Sequence, residues 1–316
     1  MFAVSYSVAV VVPTLNAGDP WKAWLDALLA QTLRPRRTLV IDSSSQDATA
    51  SWARDAGLEV CTIAGREFDH GGTRQRGVEM TAGTDLVVFL SQDATLAHPE
   101  ALEKLVSCFD NPEVGAAYGR QLPYPRAKVI DAHGRMFNYP PTSRLKRMAD
   151  APRDGFRTIF FSNAFAAYRR SALEQVGGFK SGLISMEDEY IAARMVQAGF
   201  AIAYCAEARV YHSHAYSVAQ EFKRYFDFGV FHAREAWIRR TFGEAEGEGL
   251  HFVQSQLAYL WREQPLLIAS AVIRMAAKLI GFRLGTMEKY WPVGMKRRLS
   301  MNPKFWTDDP AARRPQ

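Results

Sequence analysis

A continuous apolar run, residues 8–12, stands near the start of the chain and meets Pro13 within one strand length. Such a run reads as a strand buried on both faces, which needs helices above and below it. The residues that follow supply them. Residues 16–20 read as a turn, with Asp19 placed to cap a helix and Pro20 at its first position. Trp21, Trp24, Leu25, Leu28 and Leu29 then recur at helical spacing. Residues 38–41 form a second apolar run ending at Asp42, residues 58–63 a third, and residues 86–90 a fourth ending at Ser91, Gln92 and Asp93. Helical patterns follow residues 45–47 and cover residues 73–80. This alternation predicts an α/β fold with a mostly parallel sheet flanked by helices.

Ligands of such sheets lie at the carboxyl ends of the strands. Thr14 and Asn16, Asp42, and Asp93 all fall at those ends. The middle of the chain, residues 118–161, is rich in Pro and Arg and is expected to be extended and loop-like. A short helix over residues 170–176 ends at Gly177 and Gly178. A helix over residues 186–198 opens on Glu187, Asp188 and Glu189, acids that the helix dipole favours there. A strand over residues 201–211 leads to His212 and His214. From residue 218 onward the pattern is helical and aromatic, broken at residues 243–249. The expected division is a catalytic domain over residues 1–217 and a helical, basic C-terminal region over residues 218–316.

Composition excludes several classes. With 316 residues, 48% of them hydrophobic and 23% charged, the chain is neither disordered nor a disulfide scaffold. Cys61, Cys108 and Cys205 form no CxxC, which argues against a zinc ribbon and fits a reducing, cytoplasmic setting. The N-terminus lacks the basic segment of a signal peptide. No stretch is expected to span a membrane, because the longest apolar candidate, residues 265–280, contains Arg274 and Lys278. Residues 274–298 hold seven basic residues and one acid, and that excess equals the net charge of the whole chain, +6. Together with the apolar residues 265–273, this predicts peripheral contact with anionic lipid on the cytoplasmic face of a membrane. Nucleic acid is not an expected partner, since no aromatic-interleaved basic face is evident.

Six motifs occur in a fixed order: VVPTLNAG, VIDSSSQDAT, FLSQDA, GGF, MEDEYIAARMVQAGF and YHSH. In this order they resemble the inverting family 2 glycosyltransferases of GT-A fold. HGGTRQRG and the tail GFRLGTMEKYWPVGMKRRLSMNPKFW resemble the bacterial rhamnosyltransferase branch, and the likeness covers residues 6–306. The resemblance implies a nucleotide-diphospho-sugar donor such as dTDP-rhamnose, and a surface glycan or lipid-linked acceptor. It also implies a divalent cation, Mg2+ or Mn2+. Other sugars (galactose, glucose, N-acetylhexosamine) on the same scaffold, or a non-catalytic glycan- or membrane-binding protein, are the alternatives.

Inverting transfer needs a base for the acceptor hydroxyl and a partner for the departing diphosphate. The resemblance places Asp188 as base, with Glu187 beside it. It places Pro13, Thr14, Asn16, Asp42, Arg74 and Asp93 along the donor. Asp93 and His214 are the metal candidates, with His212 behind, since residues two apart on a strand face one side. The usual Asp-x-Asp is here Ser91-Gln92-Asp93. Gly71 and Gly72 are expected to let a ligand approach the backbone closely. A helix N-terminus is expected to lower the Asp188 pKa.

Overall fold

The computed structural model describes residues 6–243 and 246–306. Its strands are β1 (Val8–Thr14), β2 (Arg37–Asp42), β3 (Glu59–Thr62), β4 (Leu86–Leu90), β5 (Thr95–Leu96), β6 (Val114–Leu122), β7 (Arg144–Lys146), β8 (Phe165–Arg169) and β9 (Ala201–Tyr211). The helices of the first half are α1 (Pro20–Leu29), α2 (Thr49–Asp55), α3 (His70–Met80), α4 (Ala101–Val106), α5 (Val129–Asn138), α6 (Ala151–Asp154) and α7 (Arg170–Gln175). Then come α8 (Glu187–Gln197), α9 (Val218–Arg234), α10 (Ala236–Phe242), α11 (Glu246–Glu263), α12 (Ile268–Thr286) and α13 (Val293–Leu299). The sequence break expected at residues 243–249 includes 244 and 245, which lie outside the described residues, as do residues 1–5 and 307–316.

The strands make one sheet in the order β3-β2-β1-β4-β8-β6-β9-β5, with β7 on β9. The β3-β2-β1-β4 half is parallel, as expected for β-α-β units. Beyond β4 the sheet is mixed, because β8 runs antiparallel to both β4 and β6, while β6 and β9 are parallel. Val8, Ala9, Val10, Val11 and Val12 are all buried, and their side chains alternate between two apolar layers. Val11, Leu39, Ile41 and Phe89 face one layer; Val10, Val12, Val40 and Val88 face the other. Period-two alternation in a strand sandwiched by helices produces this division.

Two expectations are corrected, and a third is qualified. The stretch expected to be loop-like contains most of β6, all of α5 and β7, and the buried Tyr118, Tyr139 and Phe161. Its prolines interrupt these elements without removing them. Helix α3 begins at His70, three residues earlier than expected, because the Asp69 carboxylate accepts the Gly72 N–H at 2.5 Å. And the helical stretch Pro265–Thr286, 22 residues with a mean hydropathy of 1.7, is long and apolar enough to cross a membrane by length and composition.

Two of the three charges in that stretch, Arg274 and Lys278, face the protein. Arg274 and Lys278 meet the buried Glu221 of α9 at 3.2 and 3.4 Å. Lys296 likewise meets Glu288 at 2.5 Å. Part of the basic cluster is therefore neutralised internally, while Lys289, Arg297 and Arg298 stay exposed. Helices α9 and α12 lie in backbone contact. A Cβ on Gly285 would sit 2.0 Å from the Phe226 carbonyl oxygen, and one on Gly229 2.1 Å from that of Phe282. Only glycine permits so close an approach. Phe226, Val230, Phe231 and Trp306 continue the apolar layer below the sheet into this helical region.

Candidate functional site

The site lies where β4, β6 and β9 end and β8 begins. Asp93 follows β4 after the short loop residues Ser91 and Gln92. That loop is fixed from three sides. The Ser91 N–H donates to the Ala164 carbonyl at 3.0 Å, and the Trp24 indole donates to the Ser91 carbonyl at 3.0 Å. Gln92 forms a two-way amide bridge with the Leu15 backbone, at 2.7 and 3.1 Å. With Gln92 turned away, the Asp93 carboxylate faces the end of β9.

Both histidines meet it there. His212 Nε2 lies 3.4 Å from Asp93 Oδ1, and His214 Nδ1 lies 3.6 Å from Asp93 Oδ2. One ligand atom from each of the three residues lies within 4.8 Å of the others. Strand β9 stops at Tyr211, yet the His212 N–H still donates to the Leu122 carbonyl at 2.9 Å, which holds the turn in line. The electrostatics suit a cation. Burial pulls the Asp93 pKa up, but the facing His212 and His214 outweigh it and hold it at about 2. Burial and the His212 charge lower the His214 pKa to about 3 despite Asp93. At neutral pH the cluster is thus one carboxylate and two neutral imidazoles, the protonation state a metal ion requires.

The acids of α8 form the second part. Met186, at φ +60°, turns the chain sharply into the helix. Glu187 is buried against the Arg74 guanidinium at 3.0 Å. Burial raises the Glu187 pKa, but Arg74 and His70 outweigh it and keep the group ionised. Asp188 is shifted the other way, upward, by burial and by the Glu187 charge. The lowering expected from the helix dipole is therefore overturned, because desolvation and a fixed neighbouring anion exceed it. Asp188 accepts the Asn163 N–H at 3.2 Å and the Glu189 N–H at 3.1 Å. Asn163 joins the two parts: it precedes β8, the strand beside β4, and its side-chain amide also reaches Glu187 at 3.4 Å.

The other expected residues lie around these two parts. Arg74 is buried, bonded to the His70 carbonyl at 2.9 Å and paired with Glu187, so it supports the acids from behind. Gly71 does allow a close approach, but by the chain itself: a Cβ there would sit 1.9 Å from the Lys180 carbonyl oxygen. Asp42 is 1% exposed. Its carboxylate accepts from Thr14 Oγ1 at 3.1 Å, Ser45 N at 2.9 Å and Ser45 Oγ at 2.6 Å. Asn16, at φ +46°, accepts the Gln46 N–H at 2.8 Å. Pro13 and Thr14 pair with Ile41 and Asp42 in the sheet. These residues build one rigid loop at the ends of β1 and β2. The sequence did not point to Asn163, Gln121 or Arg135 as parts of the site, since each lies in a segment with no distinguishing motif.

Comparisons with known proteins bear on the fold and the family. A family model described as "Glycosyltransferase like family 2" matches residues 6–226. The chain is 43% identical to the O-antigen chain rhamnosyltransferase RfbN of Salmonella typhimurium, over 95% of this chain and 96% of that protein. It is 44% identical to the O-antigen chain rhamnosyltransferase WbaN of Salmonella anatum, over 96% of each. Among solved structures, the mannosyltransferase PcManGT of Pyrobaculum calidifontis, in complex with GDP-Man and Mn2+, superposes with a TM-score of 0.60. It covers 92% of this chain and 88% of its own at 19% identity.

Proposed function

The chain belongs to glycosyltransferase family 2, and from that premise we propose that it moves rhamnose from a nucleotide-diphospho donor, dTDP-rhamnose, to a growing surface glycan or its lipid-linked precursor. It is a glycosyltransferase; the sugar and acceptor are the proposal. The observation carrying that reading is the 43–44% identity, over nearly the whole chain, to two O-antigen rhamnosyltransferases.

The residues fit the reaction. In the proposed step the acceptor oxygen attacks the anomeric carbon, the bond to the diphosphate breaks, and the acceptor proton passes to Asp188. Its raised pKa makes it a stronger base than a free aspartate. Glu187, held ionised by Arg74, stays an anion throughout. Two acids with opposite shifts divide such roles. Asn163 and the Glu189 N–H aim the Asp188 carboxylate. The loop built from Pro13, Thr14, Asn16 and Asp42 would form the floor beneath the nucleoside. Asp93, His212 and His214 would hold a divalent cation, which when bound supplies positive charge for the leaving diphosphate. Two imidazoles and one carboxylate suit Mn2+ better than Mg2+, which favours oxygen ligands.

The test is a panel of nucleotide sugars read by thermal stabilisation and by donor hydrolysis with Mn2+ present. dTDP-rhamnose is expected to give the largest shift and the fastest hydrolysis. A larger response to another nucleotide sugar would replace rhamnose with that sugar.

The same reading places the enzyme peripherally on the cytoplasmic membrane face. Leu266, Ile273 and Ile280, spaced seven apart, are 96%, 58% and 53% exposed along one side of the α12 region, with Arg297 and Arg298 exposed beyond it. Because Arg274 and Lys278 are bound inward to Glu221, the helix suits lying along an interface rather than crossing it. Flotation with anionic but not neutral vesicles, weakening with salt, is expected. Binding to neither, or a lipid-independent dimer, would count against it.

A further inference from the structure

We infer that Gln121 sets the tautomer of His212, with Arg135 and Ser162 holding the Gln121 amide in place. Gln121 sits near the end of β6, 1% exposed. Its Oε1 lies 2.8 Å from His212 Nδ1. The same oxygen accepts a bond from the Arg135 guanidinium of α5. On the other side, Gln121 Nε2 donates to Ser162 Oγ at 2.8 Å.

The orientation of the amide follows from these partners. A guanidinium carries donors alone, so the atom facing Arg135 must be the amide oxygen. An amide oxygen only accepts, so the His212 Nδ1 facing it must carry the hydrogen. In the neutral ring, the lone pair is then left on Nε2. That atom is the one 3.4 Å from Asp93, inside the three-residue cluster. A metal-binding imidazole needs its lone pair on the ligating nitrogen and a partner for the other N–H. Gln121 meets the second need and thereby secures the first. It is a positioning residue: its amide is bonded to His212, Arg135 and Ser162, and it acts through His212.

The same chain of bonds fixes the neighbourhood. Ser162 directly precedes Asn163, whose N–H aims Asp188. The clamp thus ties the two parts of the site through adjacent residues. The loss of the first acid of Asp-x-Asp, here Ser91, makes the quality of the histidine ligand matter more.

The value of the clamp for metal binding rests on the reading that Asp93, His212 and His214 take a divalent cation; the tautomer itself does not. The two are measured separately. In metal-free, full-length protein with 15N-labelled histidine, long-range 1H–15N spectra are expected to show His212 protonated on Nδ1. Gln121→Leu is expected to lose that preference and to weaken binding of Mn2+ alone, by calorimetry, about 10- to 100-fold. Gln121→Glu keeps an oxygen facing both His212 and Arg135 and is expected to restore both readouts. Should Gln121→Leu fail to fold, Arg135→Met at its half-buried site unpins the amide, and a mixed tautomer with a smaller affinity loss is expected. A wild-type His212 protonated on Nε2 would overturn the inference, as would a folded Leu variant with unchanged tautomer and Mn2+ affinity. The expected wild-type tautomer with no Mn2+ binding would overturn the metal reading instead.

Discussion

The ends of β2 and β4 start alike and finish differently. Each strand is a buried apolar run, and each leads into a carboxylate at the same edge of the sheet. Asp42 is enclosed, with three bonds to its own loop and its strand neighbour. The Asp93 side chain is 48% exposed and faces two imidazoles at distances longer than a good hydrogen bond. The cause lies in the next few residues. Ser45, three residues on, has a hydroxyl and an N–H that fold back onto Asp42, helped by Ser44 at φ +64°. After β4, Gln92 is bonded to Leu15 and Ala94 has no polar side chain, so neither neighbour's side chain donates to Asp93. A carboxylate at a strand end is left free to bind a ligand when its own loop withholds donors, and becomes a structural cap when the loop supplies them.

The strongest way to break this comparison is to neutralise acids on the open side. Asp188→Asn is expected to cut turnover by about 10²- to 10⁴-fold with little change in donor affinity or melting temperature. Asp93→Ala is expected to abolish Mn2+ binding while leaving the fold intact. Steady-state kinetics with calorimetry measures both. Near wild-type turnover in Asp188→Asn would move the base to Glu187 or Glu189, and retained Mn2+ binding in Asp93→Ala would dissolve the cation site.

The closed side is expected to answer in stability instead. Asp42→Ala leaves the Thr14 hydroxyl and the Ser45 N–H and hydroxyl without their acceptor in a buried loop. Unsatisfied buried donors cost about 1–3 kcal/mol, so the melting temperature should fall by several degrees while turnover of the folded fraction changes little. A large loss of donor affinity at unchanged stability would put Asp42 in direct contact with the donor and erase the contrast.

Much of this was legible in the sequence for physical reasons. The parallel half of the sheet follows from short apolar runs and helical spacing, both local signals. The position of Asp93 at a strand end, and of His212 and His214 after the last long strand, followed from period and order. What escaped was long-range. That β8 runs antiparallel between β4 and β6 depends on pairing across more than 40 residues. That Arg74 pairs with Glu187, and that Gly71 receives the Lys180 carbonyl, depends on α3 meeting α8 and the loop before it in space. The direction of the Asp188 shift also required knowing its burial, which no motif reports. The charge of the C-terminal segment was readable, but its inward pairing with Glu221 and Glu288 was not.

A third carboxylate refines the rule, because it is neither open nor fully satisfied. Asp227 of α9 is 2% exposed and accepts the Met301 and Asn302 N–H groups at 3.0 and 3.2 Å, tying the chain after α13 to the body. Burial raises its pKa to about 7, more than the hydrogen bonds from Ser300, Met301 and Asn302 lower it. An unfolded aspartate titrates near ~3.9. Between those two values the folded form binds more protons than the unfolded form. The stabilisation linked to this proton is therefore complete at low pH and is lost as pH rises toward and through about 7. Asp227→Asn keeps an oxygen for the two N–H groups and removes the titration. Melting temperatures at pH 5 and pH 8 measure the effect. The wild type is expected to lose more between the two than the Asn variant, with the variants closest at pH 5. This is the smallest effect of the set, since other groups titrate over the same range and only the difference between the two proteins isolates Asp227. Equal slopes would mean that Asp227 is ionised in the fold, as Asp93 is, and that burial alone does not separate a structural carboxylate from a functional one.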